Sequence, residues 1–440
     1  MNLRKLIFIS LVVLLVSQLG LAQTSAANRA LSIVQATGKP TPVVPAYLAK
    51  GNMHPTIWLS SSLGSKPTIV AGEPSFCDYN NGHQTAVCAK GVQTAYGTNF
   101  PGANGGAGMT IAIVDFFAYS AAEANLAQFN SNMGLPACTT ANGCFHSVAL
   151  TNVDGSGTGW DLESMLDLQY AHSMAPNAKI VYVQGDPYGD PGYYAENIAA
   201  LGCPASPYCS MYGITSSPAG DVVSNSWTYN AGEVPADDPY YNLGKPLLFA
   251  SGDSGAWPFT SVTGYPCTSV HATCVGGTAL YLNPNLTRNV EKGWSGGGGG
   301  CSNNFAIPSW QGNVGSGVCS PNRAAPDIAA IADPATPVAV YICNPYWTCG
   351  YYGVGGTSVA TPVNSGLVAD IDAARVSFGK SKLTSFAPGL YPAATSNYNY
   401  FFYDVTLGNN GFPAGFQFDL VTGLGVPTGK DLANRFFGLP

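Results

Sequence analysis

Four short apolar runs rich in β-branched residues recur along the chain with helix-period segments between them, and this alternation constrains the fold more than any other feature. Residues 109–115 read Met-Thr-Ile-Ala-Ile-Val-Asp, and comparable runs follow at 179–184, 221–227 and 247–251. Helical periodicity covers 121–133 and 160–174. A strand with no polar alternation has no face it can show to water, and strands joined through helices run parallel. The expected fold class is therefore α/β, a parallel sheet sandwiched by helices in a single large domain. In such sheets reacting groups gather beyond the carboxyl ends of the strands. This domain is expected to run over 87–440. Residues 23–86, rich in Pro, Ser, Gly and Asn and without clear period, read as an irregular extension.

Ahead of that extension, Arg4 and Lys5 precede an apolar run from Leu6 to Val16 and small residues ending at Ala22, the pattern of a secretory signal over 1–22. Export, to an extracellular or periplasmic location, gives the twelve cysteines their meaning. They fall into neighbouring couples: Cys77/Cys88, Cys138/Cys144, Cys203/Cys209, Cys267/Cys274, Cys301/Cys319 and Cys343/Cys349. An even number in an exported chain argues for six local disulfides. Zinc is the rival reading, but no couple has the two-residue spacing of a zinc knuckle. Charged residues make up only 9%, with 24 acidic against 17 basic, so there is no cationic face for nucleic acid or anionic lipid. No later run resembles a membrane span, and a monomer is expected once the signal is removed.

Gly355-Gly356-Thr357-Ser358-Val359-Ala360-Thr361-Pro362 is a glycine-tight turn that delivers a hydroxyl to the start of an apolar helical segment. Free N–H groups and the positive dipole end of that helix would face developing negative charge, the setting of a nucleophilic serine, although a plain helix cap has the same residues. Glu163 and Asp167 stand four apart and share one helix face. Two like charges so placed are either solvated on a surface or share protons as a coupled unit with one pKa raised, which suits a general base working in acid. Asp253, in Ser251-Gly252-Asp253-Ser254-Gly255, ends an apolar run where the chain turns. It is either a turn-former or, if protonated, a donor to an oxyanion. None of His54, His83, His146, His172 and His271 sits in a His-Gly-Thr setting, and imidazole would remain protonated in acid.

These motifs, with Ala175-Pro176, Ser226-Trp227, Val275-Gly276-Gly277-Thr278, Trp294-Ser295-Gly296-Gly297-Gly298, Pro326-Asp327-Ile328-Ala329-Ala330 and Val421-Thr422-Gly423-Leu424-Gly425, resemble those of the sedolisin family, the serine-carboxyl peptidases. The resemblance runs from about Val87 to Pro440. It implies a subtilisin-like fold, with Ser358 as nucleophile, Glu163 as general base and acid, Asp167 as its orienter and Asp253 as oxyanion donor. It also implies one structural Ca2+ near the C-terminus, held by the carboxylates of Asp404 and Asp419 and the main-chain carbonyls of Val405, Gly415 and Gln417; the family usually has glycine where this chain has Gln417. Sedolisins are usually made with a long folded prosegment, and residues 23–86 supply only a short stretch. Asp115, ending its strand where subtilisins keep a triad aspartate, reads as structural or as a support to the site residues, with a direct catalytic role as the lesser alternative.

The expectation is thus a secreted, acid-active serine-carboxyl peptidase that hydrolyses polypeptides through an acyl-enzyme on Ser358. A catalytically silent binding module on the same fold is the alternative. A glycoside hydrolase would also use paired carboxylates, but from separate elements and without the serine octet.

Overall fold

The computed structural model describes residues 83–433 apart from 99, 189–190, 230–231 and 258–263, together with 41–42, 53–55, 57–64, 69–70 and 73–80. The expected leader at 1–22 lies outside the described residues.

Among the short strands that precede the main sheet are β1 (Met53–Pro55) and β2 (Trp58–Gly64). That sheet has eight strands: β3 (Thr110–Phe116), β4 (Phe145–Ala149), β5 (Lys179–Gly185), β6 (Val222–Asn225), β8 (Leu247–Ala250), β9 (Thr273–Leu282), β10 (Arg288–Gly293) and β11 (Ile328–Ile331); β7 (Trp227–Tyr229) lies outside it. The spatial order is β10-β9-β8-β6-β3-β5-β4, with β11 also beside β9. Every pairing is parallel except that of β9 with β10. The four apolar runs are thus the strands β3, β5, β6 and β8, buried over nearly their whole lengths.

One run departs from expectation. The 221–227 stretch is not a single strand, because the chain leaves the sheet at Ser226. Beyond it β7 pairs antiparallel with β1, Trp227 opposite Pro55 and Tyr229 opposite Met53. The 23–86 extension is likewise not wholly irregular. Its β2 pairs antiparallel with β13 (Trp347–Gly355), which forms a hairpin with β12 (Val338–Asn344), and Trp58 stands opposite Gly355. These pairings join segments hundreds of residues apart, so local periodicity carries no sign of them.

Helices cover both faces of the sheet. Over one face lie α1 (Ala122–Met133), α2 (Trp160–Met174) and α4 (Thr357–Ser377), sharing a core with Ile111, Ile113, Leu166, Tyr170, Val363 and Leu367. Over the other lies α3 (Gly192–Leu201), above Val114, Phe116, Val223 and Phe249. Every residue of α2 is buried, polar ones included. Gln169 shows how this is tolerated: its side-chain amide donates to Tyr341 O at 2.7 Å and its carbonyl oxygen accepts from Tyr341 N at 2.9 Å, satisfying β12 as a neighbouring strand would. The α2–α4 contact is close because residue 366 is glycine; a Cβ there would overlap that of Met174.

All six expected disulfides are formed, and no described cysteine is free. This removes the zinc alternative at Cys138 and Cys144, whose sulfurs are spent on each other beside His172.

Candidate active site

The carboxyl ends of the central strands deliver the site. Asp115 is the penultimate residue of β3, Ser226 follows β6 directly, and Ser251-Gly252-Asp253 follows β8. From the flank, α2 brings Glu163 and Asp167, and the first turn of α4 brings Thr357 and Ser358. Elements separated by nearly two hundred residues of sequence therefore meet where the parallel sheet opens.

Glu163, Asp167, Asp115 and Ser358 are all fully shielded from solvent. The surface reading of the carboxylate pair is overturned by this burial, since α2 is enclosed on every side. Burial raises the Glu163 carboxyl well above the usual range, and the charges of Asp167 and Asp115 push it further; the Ser358 hydroxyl, acting on the same carboxyl, opposes the rise. Asp167 is raised by burial and by Asp115, against a hydrogen bond donated by Ser226 Oγ to its Oδ1 at 2.8 Å. Asp115 is pushed up to about 7, chiefly by burial. Its charge bears on both members of the pair, so it belongs to the same coupled cluster and is more than a framework residue.

Asp253 is the fourth site carboxyl. The residue is partly exposed, but its Oδ2 is buried, and burial raises its pKa to about 8. Its Oδ1 accepts from Thr357 N at 2.8 Å and from Thr357 Oγ1 at 2.9 Å, while Thr357 Oγ1 accepts from Gly252 N at 3.1 Å. With Oδ1 occupied as an acceptor, the acid proton resides on Oδ2, the arrangement a hydrogen-bond donor requires. Thr357 thus ties the carboxyl to the start of α4, beside Ser358. Sequence reasoning placed Thr357 in the octet without seeing this bond.

Two more residues were not singled out by sequence reasoning. Asp161, also buried, anchors the start of α2: its Oδ2 accepts from Gly157 N at 2.7 Å, Asn344 Nδ2 at 2.8 Å and Trp347 Nε1 at 3.0 Å. An aspartate in the first turn of a helix is the signal that could have flagged it. Ser226, visible before only as part of a motif, bridges Asp167 and the Ser358 carbonyl oxygen, the latter at 3.3 Å. The glycine run 296–300 serves close backbone approach: a Cβ on Gly298 would overlap Ser251 O, and Gly298 N donates to Gly252 O at 2.7 Å. His172 lies at the far end of α2, bonded through Nε2 to Pro136 O at 3.0 Å and lowered in pKa by burial.

In the C-terminal loops, Asp404 and Asp419 both lie close enough to act on the Tyr398 hydroxyl, which bonds Asp404 Oδ1 at 3.0 Å and Gln417 O at 3.1 Å. Burial raises both carboxyls. Gln417 has φ +66°, the left-handed region glycine enters freely, so the loop keeps a glycine-like course despite its side chain. The carboxylates of Asp404 and Asp419 and the Gln417 carbonyl, all near the Tyr398 hydroxyl, are oxygen donors of the kind a hard cation such as Ca2+ takes.

A helix-flanked parallel sheet with a serine at a helix start and carboxyls at the strand ends defines the subtilisin-like α/β class. The solved structure of Pseudomonas sedolisin, a serine-carboxyl proteinase complexed with two molecules of pseudo-iodotyrostatin, superposes with a TM-score of 0.62 at 22% identity, over 79% of this chain and 97% of that one. Kumamolisin from Bacillus sp. (strain MN-32) is 30% identical over 380 residues, 78% of this chain and 62% of that protein. Tripeptidyl-peptidase 1 from Bos taurus is 34% identical over 215 residues, 42% of this chain and 36% of that protein. No protein-family model matches the chain. The chain is similar to these sedolisin-family proteins, which supports the family resemblance read from its motifs. It spans less than two thirds of the length of these curated relatives.

Proposed function

We propose that this protein is an exported serine-carboxyl peptidase, active in acid, that hydrolyses polypeptides through an acyl-enzyme on Ser358. The observation that carries the reading is that Ser358, at the start of α4, lies close enough to the buried Glu163 carboxyl to act on it, in a cluster with Asp167 and Asp253. Like charges so close do not all ionise together, so the Glu163–Asp167 pair keeps one proton over a wide pH span and loses its first well below its second. In the singly protonated state Asp167 holds and orients Glu163, whose carboxylate accepts the Ser358 proton as Oγ bonds the scissile carbonyl carbon. The carbonyl oxygen takes up the negative charge and accepts a hydrogen bond from the Asp253 acid group, neutral below about pH 8. Collapse of the tetrahedral intermediate breaks the C–N bond, and Glu163 returns the proton to the leaving amine. Water, deprotonated by Glu163, then releases the acyl group and restores the serine.

Six disulfides accord with an oxidising compartment, and no helix among the described residues is long and apolar enough to cross a membrane. A structural Ca2+ would be held by Asp404, Asp419 and the carbonyls of Val405, Gly415 and Gln417; when bound it offsets the repulsion of the two carboxylates and pins the loop. The decisive experiment is Ser358→Ala assayed on an unfolded protein substrate near pH 4, with fragment masses read out. Cleavage is expected to vanish with the fold intact, and undiminished cleavage refutes the reading.

A further inference from the structure

A cavity of about 630 Å³ lies at the amino ends of the strands, where the turn through Asn177 leads into β5, and Asp370 on α4 forms part of its wall. Asp370 stands twelve residues past Ser358, about 18 Å along the helix at roughly 1.5 Å per residue, so the cavity is separate from the candidate active site. Asp370 is fully buried, and neither of its carboxyl oxygens has a hydrogen-bond partner among the described residues. Burial lifts its pKa well above the usual range; Gly106 N–H, which donates to Ala103 O at 2.9 Å, lowers it only in part, and no charge among the described residues acts on it. A buried carboxyl in this state is costly unless a polar group comes to meet it.

The neighbouring side chains of the wall are acceptors too. Gln93 Nε2 donates to Ser173 O at 2.5 Å, Thr94 Oγ1 to Lys90 O at 2.8 Å and Asn177 Nδ2 to Asn104 O at 2.9 Å. Each spends a hydrogen on the backbone and keeps a side-chain oxygen that accepts nothing among the described residues. Two helices, Ala89–Tyr96 and α2, end beside the cavity, which adds the negative ends of their dipoles. Lys430, exposed and in no ion pair among the described residues, is the one cation of the wall. We propose that this cavity binds a free amino acid with a cationic side chain, the side-chain cation seated on Asp370 and the α-carboxylate on Lys430. A guanidinium or ammonium group brings several N–H donors to oxygens that lack them, and the volume is that of a small-molecule site. Entry of the cation displaces the Asp370 proton: the neutral acid becomes a carboxylate paired with the ligand, and the proton passes to solvent.

This inference goes beyond the peptidase reading and does not depend on it. Its test is calorimetric titration of the full-length protein with L-arginine at pH 7, repeated in two buffers of different ionisation enthalpy so that proton release is counted. Saturable binding with release of a proton is expected. L-citrulline, the neutral isostere of arginine, is expected to bind about tenfold or more weaker and to release no proton, and arginine should behave the same way toward Asp370→Asn. Lys430→Met should weaken arginine about threefold and leave agmatine, which has no carboxylate, no weaker. Circular dichroism confirms the fold of both variants, and the citrulline comparison, made on the unaltered protein, stands even where Asp370→Asn fails to fold. The proposal is overturned if arginine shows no saturable binding, if citrulline binds as tightly, if no proton is released, or if Lys430→Met weakens agmatine as much as arginine.

Discussion

Glu196 offers a test of how burial shapes this protein, clear of the reacting groups. It lies in α3, fully buried, with its Oε1 accepting from Asn225 Nδ2 at 3.2 Å and no cation among the described residues paired with it; burial lifts its pKa from 4.5 to about 8. A folded-state pKa above the unfolded one means that the group's contribution to stability is whole below about pH 4.5 and is lost as pH rises toward 8. At pH 7 the unfolded chain ionises freely while the folded protein keeps the proton, a difference of about 2.5 units, or about 3 kcal/mol at roughly 1.4 kcal/mol per unit. Glu196→Gln has the same shape, can still accept from Asn225 and does not titrate. It should therefore raise stability relative to the parent by up to about 3 kcal/mol at pH 7 and by almost nothing at pH 4. Urea unfolding midpoints of both proteins at the two pH values, read by tryptophan fluorescence, measure this. An equal shift at both pH values, or none at pH 7, would show that burial does not govern this carboxyl.

Asp253→Ala, which removes the proposed oxyanion donor, should lower kcat by about 10²–10³-fold with little change in KM. Because Asp253 loses its proton near pH 8, parent activity should fall as pH passes that value; a profile flat through pH 9 contradicts the assigned role. Gly366→Ala should destabilise by about 1–3 kcal/mol by forcing α4 away from Met174, checked by calorimetry. Chelation with EGTA should lower the melting temperature of the parent and leave that of an Asp404→Asn/Asp419→Asn double variant unchanged; equal responses would remove calcium from this loop.

Much of the framework is legible before any coordinates. The apolar runs give β3, β5 and β8 within a residue or so, the period over Trp160–Met174 gives α2 with its ends correct, and cysteine spacing gives all six bridges. The meeting of Glu163, Asp167, Asp253 and Ser358 is legible through motif resemblance; periodicity alone leaves their burial open. Asp161, Ser164, Gln169 and His172 put polar residues on every side of α2, so no stripe announces that the whole helix is enclosed. Long-range hydrogen bonds, Gln169 to β12 and Trp347 to Asp161, make that burial tolerable, and nothing local encodes them. The break at Ser226 is hidden for the same reason: its cause is a partner strand from far upstream.

That partner strand has a consequence for whatever polypeptide comes to the site. The backbone edge of Trp227–Tyr229, beginning one residue past Ser226, is taken by Met53–Pro55, and the same stretch of chain reappears opposite Gly355 at Trp58. An arriving chain that would lie along this edge has to displace a tethered rival, and a tether holds its segment at an effective concentration of order millimolar. Occupancy of that edge is then settled by how firmly the protein grips its own Met53–Pro55 compared with a visitor, so cutting the tether changes the contest without altering a single group proposed to do chemistry.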